Sequence, residues 1–184
     1  MVSQPYPSNI TKLIQARGIM TLDSGKADTS VIEHLDGAFL ERLFGKEIIV
    51  NKTAARLCVA GLWLLYDHLE ECHGIAQSIE TPDGSYWHAV MHRREGDFSN
   101  SKYWYRRVGE HKIFPELLKQ SQPLVVHDKQ LQAVNGGGTW NPFAFVDLCE
   151  KASQRGTNIE TCQELQQLEW KLLFDHCYRK AVSA

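Results

Sequence analysis

From Asn51 to about His73 the chain reads as one long helix, capped by Asn51 and closed by Gly74. Its centre, LCVAGLWLLY over Leu57 to Tyr66, is apolar on most sides. About ten such residues are half of the roughly 20 that a membrane span needs, so this helix is expected to be buried in protein. A helix wrapped by neighbours on several sides demands other helices or a sheet around it, and the rest of the sequence offers helices.

Ser30 with Glu33 forms a capping-box pattern, followed by Val31, Leu35, Phe39 and Leu43 at helical spacing and by Gly45 as a C-terminal cap. Pro82-Asp83-Gly84 reads as a turn, after which a helix spans Ser85 to Arg94 and stops at Gly96. A further helix, capped by Ser99 or Asn100, ends at Gly109, and a short one occupies 113–120. Asn141-Pro142 opens a helix to Arg155 and Gly156, and Thr157 with Glu160 opens the last, through Cys162, Leu165, Leu172 and His176. Lys46 to Val50 suits a short strand or an extended connection, and LVVHDKQLQAV leaves room for a short strand pair between Ser121 and Thr139. The expected fold is therefore a mainly α single-domain helical array over 28–184, behind an N-terminal arm of residues 1–27 with one helical turn near Thr11 to Ala16.

Composition narrows the partners. A net charge of −2 gives no global attraction for nucleic acid or anionic lipid. The start of the chain shows no charged leader followed by an apolar run. The five cysteines are well separated, without a CxxC pair, as expected of reduced packing thiols in a soluble cytoplasmic protein.

The chemistry concentrates in SYWHAVMHRREGDFSNSKYWYRR, residues 85–107. On a helix His88, His92 and Glu95 stand at i, i+4 and i+7 and share one face, while Trp87, Val90 and Met91 make the adjoining arc apolar. Two imidazoles one turn apart can ligate one divalent metal ion, with a carboxylate completing or orienting the set; equally, they can serve as acid and base without metal. HEXXH is absent, since Ala89 follows His88. The plainer alternative is a pair of structural histidines on a solvated face. His68 and His73 lie on the preceding helix, which a loop of about ten residues allows to pack antiparallel, so both are candidate additions to the set.

Asp97 suits a helix cap or a ligand contact; Asn100, Lys102 and Tyr103 add amide, ammonium and phenol donors, and Arg94 and Arg106 add cationic charge. Together these residues fit a hydroxylated or carboxylated metabolite. Arg106, Arg107 and Lys112 with Tyr103, Trp104 and Tyr105 also outline a basic aromatic platform for single-stranded nucleic acid, opposed by Glu95, Asp97 and Glu110 and by the overall charge. A second reading makes 87–107 a noncatalytic binding surface of Trp, Tyr and Arg side chains. The Asn135-Gly136-Gly137-Gly138 loop lacks a GK[ST] ending and reads as a lid or connection. His127-Asp128 and Asp175-His176 are sequence neighbours that point apart.

The run from Gly61 to Gly109, above all HGIAQSIETPDGSYWHAVMHRREGDFSNSKYW, resembles a family of uncharacterised bacterial and fungal proteins with no named activity. The resemblance implies no role for any residue.

Overall fold

In the computed structural model, which describes residues 6–35, 40–126 and 129–183, the buried LCVAGLWLLY segment lies in a helix that is shorter than its sequence pattern predicts. Asn51 caps it, its Oδ1 accepting from the Ala54 N–H at 3.0 Å, and it spans Lys52–Leu65, α4 in chain order. Asp67 then takes a left-handed conformation, φ 64°, and α5 starts at Leu69 and runs to Gln77 with Gly74 inside it. The expected continuation to His73 fails because Asp67 has tertiary partners that a continuous helix would deny it. Its carboxylate meets Arg94 at 2.5 Å and Arg17 at 3.2 Å and accepts from the Gly25 N–H at 3.1 Å.

Before α4 come α1 (Ser8–Gln15), a 3₁₀ turn at Thr29–Val31, α2 (Ile32–Leu35) and α3 (Leu40–Phe44). Asp28, rather than Ser30, caps that turn, accepting from the Ser30 N–H. Phe39 lies outside the described residues. The leading arm is joined to the core: Ile10, Leu13, Met20 and Leu22 are buried, and the Tyr66 hydroxyl donates to the Leu13 carbonyl. Residues 46–50 form an irregular connection that leaves α3 by a turn and is held at its end by the Val50 and Asn51 N–H groups donating to the Ala181 carbonyl.

After α5, Thr81 caps α6 (Pro82–Glu95). Pro82-Asp83-Gly84 is therefore the first turn of this helix rather than a turn before it, as proline's fixed φ and missing N–H favour at the first helical position. Gly84 is required there, because a Cβ would sit 2.1 Å from the Ile79 carbonyl oxygen. Gly96, φ 88°, ends α6, and Asp97 caps α7 (Phe98–Val108) in place of Ser99 or Asn100. Next, α8 runs Phe114–Val125, past the expected end at 120 and into the start of the segment expected to hold strands. A 3₁₀ segment, Leu131–Gly138, leads to α9 (Pro142–Arg155), and Asn158, not Thr157, begins the long α10 (Ile159–Val182). There is no strand among the described residues, and the chain is a helical array.

Helix α6 is the axis of this array, packed by α4, α5 and α7, while α10 lies along α4, α8 and α9. Gly61 on α4 lets the Trp87 ring approach to where a Cβ would be 2.8 Å away, and its carbonyl accepts from Trp170 Nε1 at 2.8 Å. Between α6 and α10 lies a wholly buried ion pair, Arg93 to Glu169 at 2.5 Å. Tyr86 and Tyr105 hydroxyls both donate to Glu169 Oε1, at 3.0 and 2.8 Å. Burial and the Glu169 charge push both phenol pKa values up, keeping the two groups as donors.

Removing one member of such a pair leaves an uncompensated buried charge. Glu169→Ala is expected to lower unfolding free energy by about 3–5 kcal/mol, read from urea denaturation. An exposed control, Glu164→Ala, should change it by less than about 0.5 kcal/mol.

Candidate functional site

Because α5 and α6 pack side by side, the pattern on α6 acquires a third imidazole. His73 from α5 meets His88 and His92, with ring centroids 4.6 and 5.4 Å away, and the two α6 rings lie nearly parallel at 4.7 Å. One donor nitrogen of each falls within 4.8 Å of the others. Trp104 of α7 closes the fourth side, its ring stacked on His88 at 3.8 Å.

The hydrogen bonds fix what each ring presents. His92 Nδ1–H donates to Glu95 Oε2 at 2.9 Å, so the lone pair is on Nε2, where it accepts from the Asn100 amide at 3.1 Å. Glu95 is thus the outer carboxylate of His92 rather than a third converging donor. His88 is 2 % exposed, and neither of its ring nitrogens has a hydrogen-bond partner. Burial, followed by the neighbouring His92 and His73 charges, pushes its pKa down to about 3. It is therefore a neutral imidazole, the form that ligates metals. An unpartnered buried ring carries a desolvation cost that a ligand to either nitrogen would remove.

The remaining sequence candidates divide. His68 does not join the cluster; it begins α5, donates from Nε2 to the Asp28 carbonyl at 3.0 Å and packs on Trp63. Arg94, expected to meet ligand charge, is fully buried and donates to the Leu64 carbonyl at 2.7 Å as well as to Asp67. Asp97 caps α7 by accepting from the Asn100 N–H, a bond that holds its carboxyl below the usual range. Lys102 pairs with Asp147, whereas Tyr103 and Arg106 are exposed. Of the aromatics of the 87–107 surface, Trp87 and Tyr105 are buried, Trp104 is half-buried with Arg107 over its ring, and Tyr103 stays exposed.

A second cluster was not legible as a site. Asp83, 4 % exposed in the first turn of α6, accepts at Oδ1 from Nε2–H of His111 (2.9 Å) and His176 (3.0 Å), and at Oδ2 from Lys180 (2.5 Å). Its members come from α6, the α7–α8 turn and α10, so no local spacing announces them. His176 takes part through Asp83, not through its neighbour Asp175. His127-Asp128 lies outside the described residues. A cleft of about 500 Å³ opens beside the glycine loop, lined by Phe114, Leu118, Trp140 and Phe143 among others.

The two clusters differ in what is already satisfied. Around Asp83 two imidazole Nε2–H groups and one ammonium N–H are given to one carboxylate, and the Lys180 charge opposes an added cation. Around His88 a neutral, unpartnered ring faces two other imidazoles. The donor inventory therefore favours the histidine trio for a metal. Comparison of the chain with protein-family models, curated proteins and solved structures finds no match.

Burial raises the Asp83 pKa, but the bonds from His111, His176 and Lys180 outweigh it and hold the carboxyl well below its ordinary value of 3.8. With the folded pKa depressed, the stabilisation is present above about pH 4 and is lost as pH falls below it. Asp83→Asn is expected to be less stable than wild type at pH 7 and to show a shallower loss of stability between about pH 4 and 2, measured by urea denaturation across pH.

Proposed function

We propose that His73, His88 and His92 bind one divalent transition-metal ion of the zinc type, and that the chain uses it on a hydroxylated or carboxylated small molecule. The observation that carries the reading is His88: buried, neutral and without a partner on either nitrogen, at the meeting point of two further imidazoles. Three histidines are a donor set that leaves a fourth position for water or a ligand. A bound ion would supply Lewis-acid polarisation of an oxygen held there.

Each residue then has a task. Glu95 holds the His92 ring with its Nε2 lone pair inward, the carboxylate–histidine arrangement that orients a ligating imidazole. Asn100, now on Nε2, would turn its amide toward the bound molecule. Trp104 covers His88 and limits water on that side. Asp97 positions Asn100 by capping α7, and Tyr103, exposed on the same helix and edge-on to Trp104, is open to a polar substrate, while Arg106 lies on the opposite side of α7 from Trp104.

The free, buried cysteines Cys58, Cys72, Cys149, Cys162 and Cys177 fit a reducing compartment, which supports a cytoplasmic setting. No helix among the described residues is long and apolar enough to cross a membrane.

Metal analysis of protein purified without a histidine tag tests the reading. Stoichiometric zinc, iron, manganese or nickel is expected, and it should be lost in folded His88→Ala and His92→Ala proteins. Glu95→Gln should weaken the affinity by about 10–100-fold, as outer-carboxylate replacements do. Metal content indifferent to both alanine replacements, or none after growth in metal-supplemented medium, would sink the proposal.

A further inference from the structure

The Asp83 cluster borders a cleft of about 520 Å³, walled by the first turn of α6, the α7–α8 turn and the last turns of α10. A volume of that size accommodates a small metabolite. The cluster itself is braced from inside the protein: Asp83 and His111 are buried, and the Ile113 N–H donates to His111 Nδ1 at 3.4 Å, so that ring is held at both nitrogens. His176 is partly exposed and lines the cleft, with Nε2 on Asp83.

Charge decides what can enter. The cleft is lined by Lys112, Arg179 and Lys180 on the positive side and by Asp83 and Glu110 on the negative. Lys180 offsets the Asp83 charge, and Lys112 and Arg179 against Glu110 leave the lining net positive. Lys180 gives one N–H to Asp83, and its side chain is 47 % exposed, so further ammonium donors remain. Arg179 is exposed and donates Nε to the Asp175 carbonyl of its own helix at 3.3 Å; its charge also acts on the Asp175 carboxylate, and among the described residues its outer guanidinium nitrogens make no hydrogen bond. The N-terminal end of α6, with the positive end of its dipole, opens on the same space.

We infer that this cleft is a second site, separate from the histidine trio, that takes a small molecule bearing a carboxylate or phosphate, with Lys180 and Arg179 holding the oxyanion. Asp83 fixes the Lys180 ammonium and the His176 ring at the edge of this cleft.

Calorimetric titration with inorganic phosphate and, separately, with succinate tests this on the full chain. Both chelator-treated wild type and His88→Gln are used, which keeps an anion bound at a metal out of the measurement. Saturable binding of at least one probe is expected, with Kd of about millimolar. It should weaken at least about fivefold in Arg179→Ala and in Lys180→Met, as loss of a charge-assisted contact implies. Whichever probe binds identifies the anion class. Should Lys180→Met fail to fold, the exposed Arg179→Ala carries the test alone. Binding of neither probe, or binding unchanged by the substitutions, overturns the inference. Loss of metal binding in His88→Gln with anion binding retained would show that the two sites stand or fall separately.

Discussion

The buried pair between Arg93 and Glu169 is the contact on which the arrangement of helices depends. Two charges withdrawn from water are costly unless hydrogen bonds compensate them, and here Tyr86 and Tyr105 both donate to Glu169 and Arg93 donates to Tyr105, with Arg93 Nε left unpaired. Meeting those conditions demands one relative placement of α6, α7 and α10. Hydrophobic burial alone would tolerate sliding of one helix along another, since apolar contact is non-directional. The next residue, Arg94, adds a second fixed point by joining α6 to the α4–α5 break through Asp67 and to the arm through its carbonyl, which accepts from the Ser24 N–H.

With α6 held on those sides, its remaining faces are free for chemistry. Successive residues of a helix point about 100° apart, so His88 and His92 look toward α5 and α7 while Arg93 looks toward α10. One helix thus carries two of the three clustered histidines in its C-terminal half and Asp83 in its first turn. The two clusters share a rigid support yet differ in state: one is closed by its own hydrogen bonds, the other leaves an imidazole unpartnered.

Much of the helical pattern was legible because its signals are local. Asn51, Asn141-Pro142, Gly96, Gly109 and Gly156 mark real ends, each through a cap or a positive φ that neighbouring residues determine. The misreadings occur where distant groups intervene. The long helix past Leu65 breaks because Arg94 and Arg17 hold Asp67, residues that no local pattern connects. Pro82-Asp83-Gly84 misled for another reason: the same residues serve a turn or a first helical turn, and Thr81 decides between them.

The i, i+4 spacing of His88 and His92 by itself determined that two imidazoles share one face, because helix geometry alone relates them. That His73 joins them follows from the packing of α5 on α6, and that Glu95 orients His92 instead of converging with it depends on side-chain direction. Asp83, His111 and His176 belong together only in the folded chain, since they lie on three elements and their meeting rests on contacts that span up to 93 residues. Periodicity determines which residues look inward; only tertiary packing decides which of them meet.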